Sequence, residues 1–229
     1  MTGLVRKATL LTLCGLLVAG AAMAGVPSSA TSTKPACINL VGTNGTVTDP
    51  AGQFTVTVRD VANNAVANSN VKIDFSGCVD IHIGTQASQL FAGLTVNCTN
   101  KTITAVSNAT GVATFRIVGS AQNPTGGVLP KSLSGCASIS ADNQPLGTMT
   151  VGAFNEDGSI DSPPGAGTGV AGNDLSAWKG DFFTAGNPYF GRSDFDCNGA
   201  VGGNDLSVWL TVFFAAGAPS GRGAAAQCP

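Results

Sequence analysis

Between Asp194 and Asp205 the chain reads Asp-Phe-Asp-Cys-Asn-Gly-Ala-Val-Gly-Gly-Asn-Asp, with oxygen-bearing side chains at positions 1, 3, 5 and 12 of the stretch, glycine at 6 and an apolar residue at 8. Calcium is a hard cation that takes about six to eight oxygens at roughly 2.3–2.6 Å, and this spacing wraps a backbone loop around such a sphere. Asp194, Asp196 and Asn198 would supply side-chain oxygens and Ala200 its carbonyl. Asp205 would close the ring from the first turn of a following helix. Gly202 has no side chain and contributes only through water. Gly199 permits the sharp turn at position 6, and Val201 is placed to pair with its equivalent in a sister loop. Loops of the EF-hand type carry Glu at position 12, so the shorter arm of Asp205 weakens the expected site.

A degenerate first copy lies upstream. Asn155, Asp157, Gly158 and Ile160 occupy positions 3, 5, 6 and 8, but position 1 is Ala153. Asp174, the counterpart of Asp205, follows an insertion that contains Pro163 and Pro164, and Asp161 is the nearest carboxylate that could compensate. Loop closure becomes only slowly costlier with length, so an expanded ligand loop and a plain turn both fit. Losing one carboxylate ranks this site below the second.

The elements that position these loops are themselves repeated. Residues 172–186 align without gaps on residues 203–217, with ten of fifteen identical at a shift of 31, which marks a duplicated supersecondary unit. Leu175, Trp178 and Phe182 recur as Leu206, Trp209 and Phe213, at the i, i+3, i+7 spacing of one helix face. The Asn-Asp pairs at 173–174 and 204–205 are the expected caps, and Gly186 and Gly217 the expected stops. Eight of the 13 acidic residues fall between Glu156 and Asp205, with only Lys179 and Arg192 to balance them.

Other chemistry is poorly provided for. The whole chain has one histidine, His82, which removes most acid–base and His-ligand chemistry. Glu156 is the only glutamate, and no carboxylate pair suggests glycoside hydrolysis. Residues 167–172 match a dinucleotide fingerprint in letters, but Pro163-Pro164 stand where a buried strand is required. Charged residues make up 10% of the chain, against about 25% in an average protein, and the net charge of −2 leaves no electrostatic footprint for nucleic acid. The expectation is a protein that is not an enzyme.

Arg6 and Lys7, an apolar run from Ala8 and the Ala22-Met-Ala24 ending describe a secretory signal peptide over residues 1–24, cut after Ala24. No later segment is apolar enough to span a membrane, so the expected location is outside the cell or on its surface. Cleavage removes Cys14 and leaves Cys37, Cys78, Cys98, Cys136, Cys197 and Cys228. An even set in an exported chain without a C-x-x-C pair favours disulfides over zinc. Six cysteines allow fifteen connectivities. Proximity within domains points to Cys78–Cys98, Cys37–Cys136 and Cys197–Cys228.

Residues 25–150 have a different texture from the acidic C-terminal part. Phe54, Val56 and Val58 alternate with polar residues, as do Val71, Ile73 and Phe75, and Ala113, Phe115 and Ile117. Asn-rich turns separate the runs, and no helical period intervenes. Short strands at such spacing indicate a mainly β fold of the sandwich type. The stretches 54–71 and 106–115, the latter ending Gly-Val-Ala-Thr-Phe, resemble bacterial Ig-like domains of the invasin type over residues 50–120. That resemblance implies a spacer, adhesin stalk or presenting domain.

The tandem loop–helix units over residues 151–229, each with Asp-Leu opening the helix, resemble type I dockerin modules. The resemblance implies two EF-hand-type calcium sites and docking to a cohesin module, in assemblies that often carry polysaccharide-degrading enzymes. Gly172-Asn173 and Gly203-Asn204 stand where that family commonly has a Ser-Thr type of pair. The reading is therefore an Ig-like β-sandwich followed by a small helical calcium-binding module that docks or anchors it to a cohesin-like or cell-surface component. A structural stalk with a C-terminal sorting or retention tag is the alternative, and an accessory polysaccharide-binding or degrading component the next.

Overall fold

The computed structural model describes residues 25–41, 43–44, 47–48, 52–84, 92–121, 134–156, 170–184, 190–214 and 228. Residues 1–24, expected to be a signal peptide, Asp157 with Gly158, Ile160 and Asp161, the stretch 163–169, and Gly186 and Gly217 lie outside them.

The alternating stretches form strands, and the architecture is mainly β. In chain order these are β1 (Cys37–Leu40), β2 (Thr43–Asn44), β3 (Val47–Thr48), β4 (Gln53–Thr57), β5 (Asn70–Asp74), β6 (Ile81–Ile83), β7 (Thr95–Asn97), β8 (Thr102–Val106), β9 (Val112–Arg116), β10 (Gly119–Ala121), β11 (Ala137–Ala141) and β12 (Gln144–Ala153). A six-stranded sheet runs in the order β1-β12-β11-β5-β8-β7. It is antiparallel except at its edge, where β1 runs parallel to β12 with Cys37 opposite Thr150 and Leu40 opposite Ala153. β4 pairs with β9, β6 with β10 and β2 with β3. The β11–β12 hairpin turns through Asp142 and Asn143, both left-handed at φ 48° and 65°, the conformation a two-residue type I′ turn requires.

One core unites the six-stranded sheet with the β4–β9 and β6–β10 pairs. Val71, Ile73, Ile103, Ile139, Met149 and Val151 from the six-stranded sheet share it with Val56, Ala113 and Phe115 from the β4–β9 pair. The period-2 pattern thus places each expected apolar face inward. Phe54 and Phe115 stack across the β4–β9 pair at 5.2 Å between ring centroids.

The duplicated segments form two helices, α1 (Gly172–Phe182) and α2 (Gly203–Phe214). Each begins two residues earlier than the Asn-Asp pair suggested. Asp174 and Asp205 therefore sit at the third helical position instead of capping the helix from outside. From there Asp174 accepts a hydrogen bond from the Ala171 N–H at 2.6 Å and Asp205 from the Gly202 N–H at 2.7 Å, so each acid reaches back to satisfy an N–H that the helix itself leaves open. Trp178 and Trp209 are buried, as their spacing predicts, whereas Phe182 and Phe213 lie at the surface. A second core joins both tryptophans to Phe154, Phe190, Phe195, Val170 and Val212, and takes in Val41 from just after β1. β12 itself runs through the boundary drawn at 150/151.

All six cysteines from Cys37 onward are in disulfides, but with other partners than chain proximity suggested. The bridges are Cys37–Cys197, Cys78–Cys136 and Cys98–Cys228, in place of Cys78–Cys98, Cys37–Cys136 and Cys197–Cys228. The parallel pairing of β1 with β12 carries Cys37 to the second acidic loop. Cys228 lies beside β6, its N–H donating to the Ile83 carbonyl at 2.8 Å and its carbonyl 2.9 Å from His82 Nδ1. Two of the three bridges thus cross the 150/151 boundary. Non-reducing peptide mapping of the native protein is expected to return these three pairs. Replacing Cys98 and Cys228 together by Ser should lower stability by up to about 5 kcal/mol, the chain-entropy value for a closed loop on the order of a hundred residues, measured by denaturant titration.

Candidate metal centre

The second acidic loop begins at a 3-10 turn, Gly191–Ser193, that is buried against β12 and α1. Arg192 inside it makes a two-point ion pair with Asp181 of α1, Nε to Oδ2 at 2.7 Å and Nη2 to Oδ1 at 3.0 Å, and Ser193 Oγ donates to the same carboxylate at 2.6 Å. Both charged side chains are almost completely buried. Gly152 in β12 leaves room for the Asn39 side chain, since a Cβ there would strike Asn39 Oδ1.

Asp194 leaves this turn and its carboxylate closes the loop on itself. Oδ1 accepts from the Asn198 N–H at 3.1 Å and Oδ2 from the Gly199 N–H at 3.0 Å. Asp196 accepts from the Asn198 N–H at 3.1 Å and from Asn198 Nδ2 at 2.8 Å. Asn198 Oδ1 in turn accepts from the Ala200 N–H at 2.9 Å. Asp205 reaches across from α2, accepting from the Asp196 N–H at 3.0 Å as well as from Gly202. Gly199 takes φ 87°, the left-handed conformation that explains glycine at position 6.

Ligand oxygens of Asp194, Asp196 and Asp205 come within 4.8 Å of one another, close enough for one divalent cation to bridge them. Burial pushes the Asp205 carboxyl above its ordinary value. The N–H bonds from Asp196 and Gly202 oppose that rise, and the charges of Asp196 and Asp194 add to it. A cation at their centre would relieve this repulsion. Asn198 hydrogen-bonds Asp196, and the exposed Ala200 donates its N–H to Asn198 Oδ1.

The first copy is built differently. Asn155 is buried at the end of β12, and its carbonyl accepts from the Ala121 N–H at 2.7 Å. Asp174 repeats the bridging role of Asp205, accepting from the Glu156 N–H as well as the Ala171 N–H, both at 2.6 Å. Among the described residues no second group of three metal-ligating side chains gathers there.

Several residues that hold the second loop in place carried no motif. Asn39 Nδ2 donates to the Phe195 carbonyl at 2.9 Å, and Cys37, two residues before it, is bonded to Cys197. Two side chains of β1 thus grip loop positions 2 and 4. Arg192 had one visible signal, being one of two basic residues in a stretch with eight acids. Glu156 had none. It is fully buried beside the Arg192–Asp181 pair, and burial pushes its carboxyl well above the usual range, with the Asp181 charge adding and Arg192 opposing.

Comparison with family models, with curated proteins and with solved structures gives no match for this chain. No helix among the described residues is long and apolar enough to cross a membrane.

A carboxyl whose folded pKa is raised keeps a proton that the unfolded chain releases. Stability therefore falls as pH rises from the ordinary glutamate value towards the folded one. Glu156→Gln keeps the shape without the ionisable group. Melting temperatures followed from about pH 4 to about pH 8 should decline less steeply for this variant than for the wild type. Arg192→Met leaves the buried Asp181 carboxylate without its cation, and should cost about 3–5 kcal/mol in denaturant titration.

Proposed function

We propose that this is an exported, non-catalytic protein whose C-terminal loop–helix pair resembles a dockerin module, binds calcium and docks an Ig-like β domain to an extracellular or cell-surface partner. The observation that carries the reading is the meeting of Asp194, Asp196 and Asp205 within 4.8 Å, in a loop whose order of oxygen-bearing residues suits a calcium site. Disulfide use throughout agrees with an oxidising compartment.

Docking is favoured over a passive stalk by four exposed aromatics. Phe182 and Phe183 close α1, and Phe213 and Phe214 stand at the equivalent end of α2. Each pair meets edge to face, at 4.8 and 4.9 Å between centroids. Phe183 is 74% exposed and Phe214 71%, and aromatic rings left in water at repeated positions suit a binding surface. A cohesin-like module is the partner class that the resemblance supports.

Calorimetric titration of the mature chain with calcium tests the reading. Binding is expected, with a gain in stability of about 2.7 kcal/mol at a hundredfold excess over Kd. Asp194→Ala should abolish most of that gain, and Asp157→Ala should remove less. Absence of binding by the wild type would return the loop to a plain turn. Calcium binding with unchanged surface retention in a Phe183→Ser, Phe214→Ser variant would reject the helix ends as the docking surface.

A further inference from the structure

Gly25 would be the first residue of the exported chain, and it is packed against Asp60. A Cβ built on Gly25 would lie 2.5 Å from both Cβ and Oδ2 of Asp60, closer than side-chain atoms approach, so the contact needs glycine. By standard geometry the Gly25 nitrogen is about 2.5 Å from that Cβ position, hence no more than about 5 Å from Oδ2.

The residues that follow are strapped to the same stretch. The Ser28 N–H donates to the Arg59 carbonyl at 2.8 Å, and Thr31 Oγ1 donates to the Asp60 carbonyl at 2.6 Å. Arg59 N–H donates to Ser32 Oγ at 2.9 Å, and Thr33 and Thr57 exchange two backbone hydrogen bonds, each 2.9 Å long. The start of the exported chain is thereby held over Asp60.

Asp60 itself is mostly buried. Its carboxylate accepts from the Asn64 N–H at 2.8 Å and from Asn64 Nδ2 at 3.0 Å. The Ala62 N–H also bonds this carboxylate, and two oxygens offer about four acceptor positions, so one remains. The hydrogen bonds from Asn64, side chain first, hold the carboxyl below its ordinary value and keep it charged. No cation among the described residues pairs with it.

We propose that Asp60 is the receptor for the processed N-terminus, binding the α-ammonium that cleavage after Ala24 creates on Gly25. This rests on the secretory reading above. Hydrolysis of the Ala24–Gly25 amide by a signal peptidase consumes one water. The new carboxylate leaves with residues 1–24, and the released amine is largely protonated at neutral pH, with an ordinary pKa of about 7.7–8.0. Before cleavage the same nitrogen is an uncharged amide. Processing therefore adds an ion pair that locks the strap onto the turn after β4.

The mass of the secreted chain comes first, and a terminus other than Gly25 would overturn the proposal at its premise. The mature chain is then compared with one that keeps Ala24 as its first residue, each with Asp60 and with Asp60→Asn. Loss of Asp60 also disturbs the Asn64 turn, but equally in both backgrounds. The expected result is an extra fall in Tm of about 2–4 °C in the Gly25-initiated chain only, and equal losses would overturn it. The α-amine of the wild-type Gly25 chain should also react more slowly with an acylating reagent than that of the Ala24 chain. Equal rates would overturn the proposal without any substitution at Asp60.

Discussion

The buried ion pair between Arg192 and Asp181 fixes how the acidic loops relate to the β body. Neither charge can be stable alone at that depth, since desolvation of each costs several kcal/mol unless geometry and hydrogen bonding compensate. The two-point contact, with Ser193 donating to the same carboxylate, provides that compensation. It also fixes the distance between α1 and the turn that launches Asp194. Gly152 leaves the space in β12, Asn39 crosses that space to hold Phe195, and the Cys37–Cys197 bridge holds the next stretch of the loop. The Asp194 cluster is therefore presented by the β body as much as by its own helix.

Around this anchor the two repeats are similar without being equivalent. Phe154 and Phe195, both at position 2 of their loops, meet at 5.0 Å between centroids. Each tryptophan stacks on the phenylalanine four residues later, at 5.1 Å in α1 and 4.9 Å in α2. The indole N–H of Trp209 donates to the Phe154 carbonyl at 3.1 Å. The matching carbonyl of Phe195 is taken by Asn39, and the Trp178 N–H has no partner among the described residues. One polar side chain from β1 thus breaks the internal symmetry, and it does so beside the loop that kept its carboxylates.

Much of this was legible in the residues themselves. Alternation over 54–58, 71–75 and 113–117 specifies which faces are buried, because a strand's side chains change sides at every residue. The repeat of Leu, Trp and Phe specifies two helices, and Asp194, Asp196, Asn198 and Asp205 specify a loop that folds back on oxygen. Their contacts lie within a dozen residues of one another, so spacing along the chain is nearly spacing in space.

The disulfide partners, the role of Asn39 and the raised pKa of the Glu156 carboxyl belong to the tertiary structure alone. Cys37 and Cys197 are 160 residues apart, and Cys98 and Cys228 are 130 apart. Only the parallel placement of β1 against β12, and the return of Cys228 to β6, bring them together. Glu156 reads as one more acid in an acidic stretch until packing removes it from water and sets it beside Asp181. The sequence by itself determined the local periodicities and the ligand order, whose hydrogen bonds and buried faces are satisfied within one element or loop. The fold decided which distant groups share a low-dielectric space, and so which cysteines pair and which carboxyl is pushed above its ordinary pKa.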